Sequence, residues 1–264
     1  MSASFIWYEL MTTDPDAAKA FYDAVVGWNI DGGSTSSTPG LDYRMICRSG
    51  GGLTGGMLGL TAEMQAEGAH PCWIGYLCVA DVDAALAAIV ADGGKALMAP
   101  VDLPDTGRFA MVTDPQGAPF YIMAPTPPPE RAGAVSDAYD RTTPQHVSWN
   151  ELYTSDLEGA KAFYAKHFGF AFNTSMPMGE FGEYWFIDQG EQTIGAVMTK
   201  PPFVPAIGWN YYIRVDSMTR AVAAVAAGGG RIHNGPMEVP GGDWIANGID
   251  PQGAPFALVG AKGE

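Results

Sequence analysis

The sequence predicts an α+β chain built from four βαβββ modules in two duplicated halves. Three observations predict it. Residues 7–22 read WYELMTTDPDAAKAFY and residues 149–164 read WNELYTSDLEGAKAFY, nearly the same segment twice. DPQGAPF stands at 114–120 and again at 250–256, which fixes the far end of the repeated unit. Within the first half, LMTTDPDAA (10–18) is echoed more faintly by LCVADVDAA (77–85), so each half reads as two modules.

The elements of the first module follow from local pattern. Phe5–Thr12 alternates, with Phe5, Trp7, Glu9 and Met11 on one face and Ile6, Tyr8, Leu10 and Thr12 on the other, as a strand requires. A helix comes next: Asp14 suits the N-cap, Pro15 the first helical position, and Ala17, Ala18, Phe21, Val25 and Val26 form an apolar stripe that Gly27 ends. Short β-rich runs follow at Trp28–Ile30, Tyr43–Arg48 and Leu53–Leu60. The second module repeats the order with a strand at Cys72–Val79, a helix at Val82–Ala91, and strands near Ala96–Ala99, Phe109–Thr113 and Pro119–Met123. In the third and fourth modules the helices are expected near Leu157–His167 and Met218–Ala226.

Between the halves, APTPPPERAGAVSDAYDRTTP (124–144) is too rich in proline, glycine and small polar residues to build a core. The expected organisation is therefore domain 1 over 1–125, a linker over 126–144 and domain 2 over 145–264. With 14 Lys+Arg against 29 Asp+Glu, the net charge of −15 repels phosphate backbones and anionic lipid surfaces, which argues against nucleic acid and membrane as partners. Cys47, Cys72 and Cys78 are odd in number and have no CxxC spacing, so they read as reduced thiols of a cytoplasmic protein. No secretion signal or apolar run of membrane-spanning length is visible in the sequence.

A first strand running into D-x-x-x-A-x-x-FY and ending at G-W/F, with a closing DPxG before the last strand, resembles the vicinal oxygen chelate superfamily, also called glyoxalase/bleomycin-resistance/dioxygenase proteins. The carriers are Asp14, Phe21, Tyr22, Gly27 and Trp28, then Asp156, Phe163, Tyr164, Gly169 and Phe170, with Asp114–Gly117 and Asp250–Gly253 closing the halves. The opening W-x-E-L is similar to that of two-domain bacterial members labelled hydroxylases or secreted antigens of the 27-kilodalton type. The resemblance implies two glyoxalase-like domains, each a curled mixed sheet around a cavity with helices outside.

It also implies where a divalent metal would be held. The first-strand ligand position falls on Trp7, Ile74, Trp149 and Asn210, and the last-strand position on Tyr121 and Ala257. Apart from a marginal Asn210, none is a usual ligand for such a metal. His70, His146, His167 and His233 are expected in surface or capping roles. The expectation is no bound metal and no other cofactor, although the family uses divalent metals.

Glu9 and Glu151 are the candidate catalytic residues, because parity puts them on the strand face of Trp7 and Trp149, which the family turns toward its cavity. Burial of such a carboxylate would raise its pKa toward acid/base use; the competing reading is a structural one, in which the glutamate bonds a neighbouring backbone or side chain. Tyr76 and Cys78 are expected opposite Glu9, and Tyr212 and Arg214 opposite Glu151, where a Glu151–Arg214 ion pair is possible. With Trp7, Trp149, Tyr121 and Asn210 they form the expected ligand-binding set, packing against the pocket being the alternative for the aromatic residues. GRFA (107–110) is matched by GDWI (242–245), so the halves are not chemically equivalent. Two functions follow: a protein that binds a small organic metabolite in a cavity of each domain without the family metal, or a lyase, isomerase or hydroxylase acting on a small carbonyl or phenolic substrate with a strand glutamate as acid/base. The partner is a small molecule in either case, and the chain is expected to be a monomer or homodimer.

Overall fold

A computed structural model describes residues 4–126 and 134–264; part of the expected linker, 127–133, lies outside the described residues. The first module is β1 (Phe5–Thr12), α1 (Pro15–Val26), β2 (Asn29–Ile30), β3 (Tyr43–Cys47) and β4 (Leu53–Gly59). After a short helix α2 (Ala62–Ala66) come β5 (Cys72–Cys78), α3 (Val82–Ala91), β6 (Lys95–Leu103), β7 (Gly107–Thr113) and β8 (Pro119–Pro125). The second half gives β9 (Val147–Thr154), α4 (Leu157–Phe168), β10 (Ser175–Pro177), β11 (Glu183–Gln189) and β12 (Gln192–Thr199), then β13 (Gly208–Val215), α5 (Met218–Ala227), β14 (Arg231–Glu238), β15 (Trp244–Ile249) and β16 (Pro255–Gly260). The order is βαβββ four times, as the sequence predicts.

The strands form two open sheets of eight, in the orders β2-β3-β4-β1-β5-β8-β7-β6 and β10-β11-β12-β9-β13-β16-β15-β14. Each sheet is mixed: β1 runs parallel to β4 and β9 to β12, while β3–β4 and β11–β12 are antiparallel. The long helices start where the sequence places them because Asp14, Asp81, Asp156 and Ser217 each accept a backbone N–H of the first turn. Gly27 and Gly169 close α1 and α4 in the left-handed region, which a residue with a Cβ adopts only at a cost.

The chain divides into two compact units. One comprises 4–6, 75–126, 134–136 and 149–210; the other comprises Trp7–Ile74, Asp137–Ser148 and Tyr211–Glu264. Each unit thus takes one module from each half of the sequence. In the first, α3 packs against α4; in the second, α1 packs against α5.

This division explains both repeated motifs. In the second unit, the Trp73 indole donates to the Tyr22 oxygen at 3.0 Å, and Tyr22 donates to Asp250 at 3.1 Å. In the first, Trp209 donates to Tyr164 at 3.0 Å, and Tyr164 to Asp114 at 3.1 Å. The second residue of each FY pair is therefore tied to the DPQG aspartate of the opposite half. Each aspartate also accepts backbone N–H groups of its own turn, from Gln116 and Ala118 or from Gln252 and Ala254. Burial raises the Tyr22 phenol well above its ordinary pKa, and burial also raises both aspartates despite these donors.

Candidate functional site

Glu151 is 5 % exposed and Glu9 2 %, so both carboxylates are out of bulk water, as are Tyr8, Leu10, Asn150 and Leu152 of the opposite strand face. On β9, Trp149 and Glu151 share a face, and Ala196 of β12 lies beside Glu151 in register. The next strand places Phe186 beside Ala196. Tyr184, two residues before Phe186, shares that face. The Trp149 indole N–H donates to the Tyr184 oxygen at 2.8 Å, and the Tyr184 hydroxyl donates to Glu151 Oε1 at 2.7 Å. An indole can only donate, so the direction of this chain is fixed: the phenol receives from Trp149 and delivers its own proton to the carboxylate. Phe186 stands edge-on to both rings, 6.1 Å and 80° from Trp149 and 5.8 Å and 87° from Tyr184.

The first half repeats this in part. Trp7 donates to Tyr43 at 2.9 Å, the counterpart of the Trp149–Tyr184 bond. Beside Glu9 and Met45, however, stands Gly56, where the second half has Ala196. The Tyr43 hydroxyl and ring occupy the space a Cβ would need there. Met45 takes the place that Phe186 holds in the second half, so the third aromatic wall is missing. Cys72 senses Glu9: burial first, and then the neighbouring carboxylate, push its thiol up to about 12. Burial likewise raises Cys78, so neither thiol is a ready nucleophile.

Tyr76 and Tyr121 stack at 4.2 Å with planes 17° apart, and Phe109 closes on them at 5.9–6.3 Å. Tyr212 accepts a long 3.5 Å bond from Asn247. Arg214 does not go to a glutamate: its guanidinium is held by Asp243 through two nitrogens, at 3.1 and 2.5 Å, and by Ser148 at 3.2 Å. This corrects the expected Glu151–Arg214 pairing, since the planar fork finds a matching carboxylate at the start of GDWI. In the first half the matching positions carry Cys78 and Arg108, and Arg108 instead pairs with Asp83 and Asp102. Asn210 is half-buried on β13.

Two histidines are buried rather than on the surface, although His167 does stand in the last turn of α4 where a capping role places it. His146 is buried with Nδ1 against the Pro144 carbonyl at 2.9 Å, and the side chain of His167 is buried against Asp92 at 2.7 Å. His70 and His233 are exposed. Among the described residues, no three His, Cys, Asp or Glu side chains gather in a way that could hold a metal ion. At the positions where the family resemblance places ligands, Ile74 and Ala257 are buried apolar side chains and Tyr121 is stacked on Tyr76. The residues present do not fit a divalent metal there. Nor, among the described residues, is any helix long and apolar enough to cross a membrane.

Sequence reading missed Tyr43, Tyr184, Phe186 and Asp243. A signal existed for the tyrosines: Y-R-M-I at 43–46 and Y-W-F-I at 184–187 are the corresponding third strands of the two halves.

The comparisons agree with this architecture. "Putative glyoxylase CFP32" of Mycobacterium bovis is 33 % identical over 257 residues, covering 96 % of this chain and 93 % of that protein. "Anthracycline biosynthesis protein DauV" of a Streptomyces species is 26 % identical over 267 residues, covering 96 % and 91 %. Among solved structures, a Mn(II)-bound glyoxalase from Novosphingobium aromaticivorans superposes with a TM-score of 0.62 over 100 % of this chain and 83 % of that one, at 18 % identity, which speaks for the fold alone. A family model matches residues 4–122 and again 143–258, so the chain belongs to the glyoxalase/bleomycin resistance protein/dioxygenase superfamily.

Proposed function

We propose that the protein binds small organic molecules against the strand faces that carry Trp7 with Glu9 and Trp149 with Glu151, and that it does so without a resident metal. The observation that carries this reading is the chain Trp149 to Tyr184 to Glu151: a buried carboxylate held by an oriented neutral donor and bordered by half-buried aromatic rings. Apolar walls with a few fixed polar groups are what small-molecule sites are made of. The names of the two relatives, one a glyoxylase and one a protein of anthracycline biosynthesis, also point to small organic compounds.

The second reading is an enzyme on a carbonyl or phenolic substrate, with Glu9 or Glu151 moving a proton. What favours it is the burial of Glu9 at 2 % exposure, since a desolvated carboxylate is where acid/base work is done. One experiment separates the two. Thermal unfolding is followed with a panel of small aromatic and carbonyl compounds, with and without chelator, beside turnover of the methylglyoxal–glutathione adduct with added nickel or zinc. The binding reading expects a compound that stabilises by about 2.7 kcal/mol at a hundred times its Kd. The shift should survive chelator, and Glu151→Gln should weaken it. Robust, chelator-sensitive turnover would replace it with the enzyme reading.

A further inference from the structure

We infer that the two halves take ligands of different chemistry, an apolar ring in the first and a ring bearing a carboxamide in the second, and that Met98 with Met111 and Asn234 with Asn247 set the difference. The inference rests on the small-molecule reading above. Strands paired in register put partner side chains on a common face, and here they line up two equivalent rows. Met98, Met111, Tyr121 and Tyr76 form one across β6, β7, β8 and β5. Asn234, Asn247, Ala257 and Tyr212 form the other across β14, β15, β16 and β13. Each residue of the second row follows its counterpart by the interval that separates the two DPQG turns. Each row lies within a single compact unit.

The backbone treats the two rows alike. Register shifts flank Met98 on both sides and flank Asn234 at the same two places, and irregularities of this kind re-aim a side chain. The inner members Tyr76, Tyr121, Ala257 and Tyr212 are buried, whereas Met98, Met111, Asn234 and Asn247 are half-buried. Solvent therefore reaches the outer end of each row, and docking there requires no enclosed cavity.

The side chains are what differ. In the first row, two thioethers lead to Tyr121, which stacks on Tyr76 at 4.2 Å. A thioether is polarisable, settles against aromatic rings and has no hydrogen to donate. In the second row, Asn234 Nδ2 donates to Asn247 Oδ1 at 2.9 Å, and Asn247 Nδ2 reaches the Tyr212 oxygen at 3.5 Å. An asparagine carries two N–H groups and an acceptor oxygen, the complement of a ligand amide. The 3.5 Å step is at the limit of a hydrogen bond, so a ligand carbonyl takes over that N–H at small loss.

Nuclear magnetic resonance of the full-length protein, observing methionine methyls and asparagine side-chain amides, tests this with thioanisole and benzamide as probes. Met98→Leu, Met111→Leu, Asn234→Ser and Asn247→Ser assign the four resonances. Thioanisole should bind about tenfold more tightly than benzamide when read at Met98 and Met111, and benzamide about tenfold more tightly than thioanisole when read at Asn234 and Asn247. Asn234→Met combined with Asn247→Met should turn the second row to thioanisole, with far-ultraviolet circular dichroism checking the fold. The wild-type titration stays decisive if that variant does not fold. Equal affinities at the two rows, or a folded double variant that still prefers benzamide, would overturn the inference. Probes that move only the Trp7 and Trp149 indole resonances would sink it and spare the small-molecule reading. Probes that move nothing would sink both.

Discussion

A phenol has one proton to give: Tyr184 gives it to the buried Glu151, and Tyr22 and Tyr164 give it to buried aspartates in the core. In the core, Tyr22 receives from Trp73 and gives to Asp250. Tyr22→Phe leaves a buried indole N–H and a buried carboxylate without this partner, which should cost about 1–3 kcal/mol in chemical denaturation. The pH dependence has a definite sign. The folded-state pKa of Tyr22 is raised, so the stability it contributes is complete below the ordinary phenol range near 10 and is lost as pH rises toward the folded value. Wild-type stability should therefore fall above pH ~10, and Tyr22→Phe should flatten that fall. Asp114 and Asp250 are also raised, so their contribution is present below the usual carboxylate range and declines as pH climbs through their folded values. At this scale the sequence pointed to the two glutamates through alternation together with the family resemblance, which turns their strand face toward a cavity. It hid the tyrosines beside them, because Tyr43 and Tyr184 stand 36 and 35 residues from the tryptophans they bond, and only folding brings them together.

At the scale of elements, the duplicated opening strand and its helix were legible because their signals are local. An aspartate cap, a proline at the first turn and a left-handed glycine each leave a mark in sequence, and α1 and α3 span Pro15–Val26 and Val82–Ala91 much as those marks predict. Helix α2 escaped notice because it has five residues and buries none, so it carries no apolar stripe. Strand β6 runs longer than expected, over Lys95–Leu103, because its pairing with β7 continues past two irregularities that blur alternation. The arrangement of β3 and β4 makes its own prediction. Gly56 leaves room for Tyr43, so Gly56→Ala should push the tyrosine off Trp7 and destabilise by about 1–3 kcal/mol. The check is the Trp7 indole N–H resonance, assigned with Trp7→Phe: it should move in Gly56→Ala and stay in place if the tyrosine has not shifted.

Across the whole molecule, the repeats announced the number of modules but not how the units share them. Each eight-stranded sheet is built from one half, yet each compact unit draws one module from either side of the linker. Within each unit the tyrosine of one half and the aspartate of the other belong to one buried hydrogen-bonded chain. Residues 1–133 and 134–264 made as separate polypeptides should each unfold without cooperativity as monomers and recover a cooperative transition on mixing. Calorimetry of the separate and mixed fragments would show it, and a stable, monomeric single fragment would contradict it.

That crossed tyrosine–aspartate bond also bears on why the two halves share one chain. Because either half carries both the donor and the acceptor, two copies of such a half could satisfy each other's bonds, whereas a single copy in this arrangement would leave both unmet. Carried on one chain, the exchange does not depend on concentration.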